Sequence, residues 1–327
     1  MRIEVVGGGS LGLLLAARLA PHCRLQLRVR TESQAAGINR QGVALTAGAD
    51  GREKRTRLPV FATAGNEERD TALPFEPDWL LLTLKQKDIT SRFVRELAGR
   101  MLPDTRLLCF QNGLGHAEKL AEAVPAERIW LAVTTEGAKR EAPDAVRHTG
   151  AGISRIGKAS TAWAADDDAA FARLSPVLDR AGLRHERRRD IRPAVWEKLI
   201  VNAVINPLTA VMRVTNGELL ENKARLGLMK DLFEEARSAA LAHGVPLADT
   251  LWDDVVQVCK ATAANRSSML QDVESGRETE MAWISGAILE KAKEKSLKLP
   301  ATELLCRIVS GIEPSPGDCD YGDASSV

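Results

Sequence analysis

The 327-residue chain has no excess of charge of either sign, since 45 Lys+Arg stand against 44 Asp+Glu for a formal net charge of +1. A nucleic-acid-binding surface needs a basic excess gathered on one face, so nucleic acid is not expected as a partner. No stretch approaches the ~20 apolar residues of a membrane span, which argues against a membrane partner. The five cysteines (Cys23, Cys109, Cys259, Cys306, Cys319) contain no CxxC pair. Neither a disulfide framework nor a zinc-ligand spacing is present, no metal is expected, and a reducing, cytoplasmic compartment fits best. Arg2 precedes an apolar stretch, but Glu4 and three consecutive glycines make it a poor secretory leader. Internal repeats and long low-complexity segments are also missing. What remains, 44% hydrophobic and 27% charged residues, is the composition of a soluble globular protein. At roughly 100–200 residues per domain, the length suggests two domains.

Residues 2–6 form a short β-branched run, followed by Gly7-Gly8-Gly9-Ser10-Leu11-Gly12 and then a helical run from Leu13 to Leu19. Further strands are predicted over Arg24–Arg30, Trp79–Leu84, Leu107–Phe110, Ile129–Val133 and Gly152–Gly157, with a helix around Ala117–Ala123. The run at Trp79 is nearly continuous in apolar residues, as a strand buried on both faces requires. Residues 40–77, rich in Gly, Thr, Arg and Pro, read as short strands and loops. Strands alternating with helices predict an α/β domain with a doubly wound parallel sheet over residues 1–188. Beyond it the texture changes to long helical patterns at Val195–Val211, Lys223–His243 and Thr279–Glu294, which predict an all-helical domain over residues 189–312. The tail over 313–327, with Pro314, Pro316, Gly317 and Gly322, has too little apolar content to pack and is expected to be disordered.

Gly7, Gly9 and Gly12 stand in the spacing G-x-G-x-x-G between a strand and a helix. The first glycine allows the tight turn, the second lets backbone approach a pyrophosphate, and the third lets helix and strand pack closely, while the helix N-terminus offers N–H groups to the phosphates. The end of the next strand discriminates between dinucleotides. NAD calls for a carboxylate there to accept from the ribose 2′-OH, whereas Arg28 and Arg30 occupy this stretch and a guanidinium suits a 2′-phosphate. NADP(H) is favoured, Glu32 leaves NAD open, and a solvated strand edge is the plain alternative for the two arginines.

The segment Trp196–Val211 is apolar almost all round, so its helix must be largely buried. The exceptions Lys198, Asn202 and Asn206 lie at i, i+4 and i+8, a single stripe on one face. Unpaired, a buried lysine and two buried amides would cost several kcal/mol. The stripe is either a narrow solvated face with a snorkelling lysine or the lining of a polar cavity. Pro207 is expected to kink or end the first part of this helix just beyond Asn206, freeing backbone carbonyls nearby. A second cluster runs from Asn265 to Asp272, where Asn265 and Ser268 are small donors suited to a carboxylate. Glu280 leads an apolar helix, a place where a dipole-matching surface carboxylate is ordinary.

Taken in order, Gly7–Gly12, Thr83-Leu84-Lys85, Gln111-Asn112-Gly113-Leu114-Gly115, the run from Lys198 to Ala210, Asn216-Gly217-Glu218-Leu219, Ser267-Ser268-Met269-Leu270-Gln271-Asp272 and Thr279-Glu280 resemble the motifs of ketopantoate reductase (2-dehydropantoate 2-reductase). The resemblance covers about residues 1–310. It implies a Rossmann domain that binds NADPH through the glycine loop, including Gly8, Ser10 and Leu11, and a helical domain that supplies the substrate site, with the active site in the cleft between them. It further implies Lys198 as the general acid, with Asn202, Asn206, Asn216 and Ser268 on the substrate. Lys85 and Asn112 would lie at the nicotinamide and substrate end. Ala138 would touch the cofactor through its backbone, Glu280 would contact cofactor or substrate, and Arg30 would take the 2′-phosphate. Two stretches depart from the family pattern: Gln86-Lys87-Asp88 follow Lys85 where an apolar pair and a Gln are usual, and Glu136 stands where a histidine is more familiar.

The implied activity is NADPH-dependent reduction of 2-dehydropantoate to (R)-pantoate, toward pantothenate and coenzyme A, by a monomer or homodimer acting on a small 2-oxo acid. Hydride delivery to a ketone leaves an alkoxide, and an ammonium both stabilises that charge and donates the proton. Burial lowers a lysine pKa, and a nearby Glu280 opposes the shift. Two alternatives stand beside this reading. One is a paralogue that reduces another branched 2-oxo acid. The other is a non-catalytic NADP(H)-sensing protein, against which the buried lysine speaks.

Overall fold

The computed structural model describes residues 1–48, 54–65, 76–160, 163 and 165–314; the expected tail from residue 315 onward lies outside the described residues. Among the described residues the chain divides into two compact units, one made of residues 1–111 and 116–191, the other of residues 112–115 and 192–314.

The first unit runs β1 (Arg2–Val6), α1 (Ser10–Leu19), β2 (Arg24–Val29), α2 (Glu32–Gln41), β3 (Val43–Ala47), β4 (Lys54–Leu58), β5 (Phe61–Ala64), β6 (Trp79–Leu82) and α3 (Ser91–Ala98). It continues with β7 (Arg106–Cys109), α4 (His116–Leu120), β8 (Ile129–Thr134), β9 (Gly137–Ala142), β10 (Ala145–Gly150), β11 (Ser154–Lys158), α5 (Ala165–Arg180) and β12 (His185–Arg187). Eight strands form one sheet in the order β12-β11-β8-β7-β6-β1-β2-β5. From β8 to β5 every pairing is parallel; β11 is antiparallel to β8, and β12 runs parallel to β11. β6 and β7 are buried at every position, as strands covered on both faces must be. A second sheet, β4-β3-β10-β9, lies apart from the first. Its β9–β10 hairpin has no counterpart in the sequence reading, because β9 is mostly exposed and polar and carries no apolar alternation.

Glu4 is buried in the middle of β1, and its carboxylate accepts from Arg28 Nε at 2.8 Å and from Arg100 Nη2 at 3.2 Å. Arg28 is thereby turned inward, so of the two arginines proposed from sequence only Arg30, just past the end of β2, is exposed. Lys158 on β11 and Asp167 on α5 form another buried pair, at 2.7 Å with side chains 1% and 4% exposed.

The second unit is helical: α6 (Arg192–Met212), α7 (Lys223–Ala242), α8 (Leu251–Ala261), α9 (Ser268–Glu274), α10 (Ser285–Glu294) and α11 (Pro300–Ile312). α6 is its central helix, with Leu199, Ile200, Val204, Ile205 and Leu208 buried against the surrounding helices. Among the described residues no helix is long and apolar enough to cross a membrane.

Three expectations need correction here. Pro207 does not end the helix at Asn206, since α6 continues to Met212. The proline withholds one N–H from the carbonyl four residues back, but the next turn is braced by Thr209, whose hydroxyl lies 2.9 Å from the carbonyl oxygens of both Ile205 and Asn206, and burial on nearly every side favours continuity. The predicted helix over Thr279–Glu294 is broken: a 3-10 turn at Met281–Trp283 and a non-helical Ile284 (ψ −89°) precede α10. At this break the Trp283 carbonyl accepts from Leu114 N at 3.1 Å. Finally, Glu313 is not part of a loose tail, because its carboxylate accepts from the backbone N–H of Thr279 at 2.9 Å and from the Thr279 hydroxyl.

Removing one partner of the Lys158–Asp167 pair leaves a buried charge without its counter-ion. Asp167→Ala is expected to cost about 3–5 kcal/mol, read as a lower denaturation midpoint of the sheet-containing unit. A change below about 1 kcal/mol would show that the pair contributes no more than a surface ion pair.

Candidate active site

The glycine loop follows β1, and its three spaced glycines differ in what surrounds them. Gly7 has φ +123°, and a Cβ there would stand 2.6 Å from Thr83 Oγ1. A Cβ on Gly12 would fall 1.8 Å from the Gly7 carbonyl oxygen, which no relaxation of a side chain can relieve. Gly9, by contrast, faces open space. Two glycines are thus demanded by chain packing, and the middle one leaves open space at the start of α1, an arrangement compatible with a pyrophosphate cradle. Gly9 caps α1 without a side-chain hydrogen bond, and the first turn of α1 contains no acidic residue, so its N–H groups face that space uncompensated.

The strand order reverses between β1 and β6, and ligands of open α/β sheets bind beyond the carboxyl ends of strands at such a point. Val6 pairs with Leu82, so the glycine loop and the segment Thr83-Leu84-Lys85 leave the sheet side by side. Thr83 Oγ1 donates to the carbonyls of Val6 at 3.0 Å and Gly7 at 3.2 Å, and Gln111 Nε2 donates to Leu84 O at 2.9 Å. These bonds place Lys85, partly buried, beside the loop. The departure that follows it forms a 3-10 turn with Gln86 buried and Lys87 and Asp88 exposed.

Ala138 lies on β9, partly buried opposite His148. The unusual Glu136 meets the same histidine, with 2.7 Å between Glu136 Oε2 and His148 Nε2. Arg18, which can only donate, is 3.2 Å from His148 Nδ1. Nε2 therefore carries the ring hydrogen and donates to the carboxylate, so Glu136 faces a histidine and not the bare strand. Ser10 is engaged as well, its hydroxyl accepting from the backbone N–H of Arg140 at 3.0 Å. The Arg140 guanidinium reaches the Gly8 carbonyl at 3.3 Å. Sequence reasoning missed this arginine, since nothing local marks a residue that a hairpin brings to the glycine loop.

The remaining candidates gather in the helical unit. Lys198 and Asn202 are partly buried and Asn206 is buried along α6. Poor solvation pushes the Lys198 ammonium down from the ordinary 10.5 to about 8, and the attraction of Glu280 only partly opposes it. The balance that the sequence left open is thus decided in favour of desolvation. Glu280 Oε2 accepts from Asn112 Nδ2 at 3.3 Å, so the segment Asn112–Gly115 belongs to this unit although it follows β7 of the other. Lys198, Glu280 and Asn112 are the three candidates brought into one cluster.

Asn216 is buried, donating through Nδ2 to Thr262 Oγ1 at 2.8 Å, while its Oδ1 is buried without a hydrogen-bond partner. Asn265 engages through its backbone, its carbonyl accepting from Asn216 N at 3.0 Å and its N–H donating to Thr262 O at 2.8 Å, while the residue is exposed. Ser268 is exposed at the first position of α9. The neighbouring Ser267 is buried, caps α9 by accepting from Leu270 N at 3.0 Å, and lies 2.7 Å from the Thr209 hydroxyl. A buried hydroxyl pair therefore joins α6, one turn beyond Asn206, to the start of α9 where Ser268 sits.

Residues 3–161 match the family model "Ketopantoate reductase PanE/ApbA", and residues 190–313 match "Ketopantoate reductase PanE/ApbA C terminal". The chain is 35% identical over 324 residues to the 2-dehydropantoate 2-reductase of Bacillus subtilis, covering 96% of this chain and 98% of that protein. It is 33% identical over 310 residues to the 2-dehydropantoate 2-reductase of Halobacterium salinarum, covering 94% and 98%. Among solved structures, a probable 2-dehydropantoate 2-reductase from Bacillus subtilis superposes with a TM-score of 0.78 at 32% identity, over 96% of this chain and 100% of that one.

The Lys198 shift carries a signed consequence for stability. Its value in the fold, about 8, lies below the ordinary 10.5, so the charged form opposes folding in full below pH 8 and the penalty fades as pH rises toward 10.5. Lys198→Met is expected to raise Tm by a few degrees at neutral pH, with the gain shrinking across that window. A gain that is flat with pH, or a loss at neutral pH, contradicts the assignment.

Proposed function

Since this chain belongs to the ketopantoate reductase family, we propose that it catalyses the NADPH-dependent reduction of 2-dehydropantoate to (R)-pantoate, with Lys198 as the proton donor. The observation that carries the reading is the poorly solvated Lys198 ammonium, brought to about 8 beside Glu280. An acid of that strength is charged at neutral pH yet gives up its proton far more readily than a free lysine.

NADPH, when bound, supplies the hydride. The glycine loop Gly7–Gly12 would receive its pyrophosphate at the start of α1, the exposed Arg30 would take the 2′-phosphate, Lys85 would lie toward the nicotinamide, and Ala138 would touch the cofactor through its backbone. Lys198 attracts the oxo group of the substrate, stabilises negative charge developing on that oxygen and donates the proton to it. Glu280 keeps the lysine protonated at rest, and Asn112 orients Glu280. Asn202, Asn206 and Ser268 hold the substrate's carboxylate and hydroxyl. The unpartnered Oδ1 of Asn216 is an acceptor, which suits the hydroxyl and not the carboxylate. On the same reading residues 1–188 form the NADP-binding domain and 189–312 the substrate domain of a cytoplasmic monomer or homodimer.

Steady-state assays with NADPH and a panel of 2-oxo acids test this directly, and 2-dehydropantoate is expected to have the highest kcat/KM. Lys198→Ala is expected to fold, bind NADPH and lose turnover by ~10²–10⁴, with no rescue by Lys198→Arg, whose guanidinium is too weak an acid. In the wild type, kcat for reduction is expected to fall as pH rises through about 8, where the ammonium loses its proton. Near-normal turnover in Lys198→Ala would make the lysine a structural residue. Arg30→Ala is expected to raise the KM for NADPH far more than that for NADH; equal losses would remove the 2′-phosphate from its role. Ser268→Ala is expected to cost ~1.5–3 kcal/mol in apparent substrate affinity, and unchanged substrate kinetics would take Ser268 out of the site.

A further inference from the structure

Arg140 lies on a hairpin with no role in the sequence motifs, yet two bonds fix it over the glycine loop. Its backbone N–H donates to Ser10 Oγ at 3.0 Å, which pins the strand across the first residue of α1. Its guanidinium donates to the Gly8 carbonyl at 3.3 Å and is otherwise exposed. That carbonyl is already bound by Gln34 Nε2 at 3.0 Å, so Gly8 does not depend on the arginine. The carboxylates of the hairpin are taken elsewhere, Glu141 by Arg147 at 2.7 Å and Asp144 by Arg57 at 3.0 Å, and among the described residues no carboxylate pairs with Arg140.

A cation at this position is electrostatically out of place. The N-terminus of α1 carries the positive end of the helix dipole, with no acidic residue in its first turn and no side-chain cap. Like charge is therefore set against like, at the edge of the open space in front of Gly9. An anion in that space turns both into favourable interactions, and most of the guanidinium's N–H groups remain available to it. We propose that Arg140 is a binding residue for the pyrophosphate of the dinucleotide, closing over the glycine loop from β9. This rests on the reading that the loop binds a dinucleotide. Its role differs from that of Arg30, because the pyrophosphate is common to NADPH and NADH while the 2′-phosphate is not.

The test is direct binding without the oxo acid, by titrating purified full-length protein with NADPH and separately with NADH and following the quenching of tryptophan fluorescence. Arg140→Ala is expected to weaken both dinucleotides by the same factor, about three- to tenfold for one exposed charge-assisted bond. Arg140→Lys is expected to recover part of the loss, and the wild-type advantage is expected to shrink at high salt. Thermal stability is expected to stay within a degree or so of wild type, since the bond to Ser10 comes from the backbone. A loss confined to NADPH would reassign Arg140 to the 2′-phosphate and overturn the proposal, as would unchanged affinity for both. Failure of the wild type to bind either dinucleotide would overturn the reading of the glycine loop itself, an outcome separate from equal binding by wild type and variant.

Discussion

Holding one ammonium where water solvates it poorly is the constraint around which the helical unit is organised. The condition is met because α6 is apolar on nearly every face, so other helices must wrap it. Its polar stripe then has nowhere to go but a shared interior surface. The same burial that lowers the Lys198 pKa would, if carried further, leave the side chain neutral and useless as an acid. Glu280 sets the limit by attracting the charge. Just beyond that carboxylate the chain leaves helical geometry at Ile284, and the Trp283 carbonyl accepts from the Leu114 N–H, in the same short segment whose Asn112 donates to Glu280.

At the nucleotide end the constraint is inverted, for what matters is the absence of atoms. Gly7 and Gly12 are glycines because Thr83 and the Gly7 carbonyl occupy the space a side chain would need, while Gly9 leaves space that the protein itself does not use. The surrounding polar groups are mostly committed to holding this emptiness in shape. Thr83 ties the loop to the end of β6, Gln34 and Arg140 share the Gly8 carbonyl, and Ser10 receives a strand from the second sheet. A rigid cradle of this kind binds without first paying to order itself.

Family membership and chemistry meet at particular residues, not at the fold in general, because folds of this class host many reactions. Two departures from the family pattern illustrate it. Glu136 adds a carboxylate just before β9, but His148 takes it up, its other ring nitrogen held by Arg18. Gln86 buries its side chain within a tight turn and leaves the two charged residues that follow in solvent.

Local signals in the sequence determined a good deal by themselves. The spacing of Gly7, Gly9 and Gly12 between strand and helix, the apolar runs at Trp79 and Leu107, and the i, i+4, i+8 stripe from Lys198 are periodicities read within a few residues, so they needed no tertiary information. Only the folded chain decided the rest, chiefly through partners distant in sequence. Arg28 is turned inward by Glu4, leaving Arg30 exposed. The helix expected over Thr279–Glu294 is interrupted where the Trp283 carbonyl accepts from Leu114, and α6 continues past Pro207 with Thr209 bonded to the carbonyls before it. Arg140 reaches the glycine loop only because a polar hairpin lies across α1. The sign of the Lys198 shift followed the same rule, because desolvation and Coulomb attraction act between residues that the sequence keeps apart and the fold brings together.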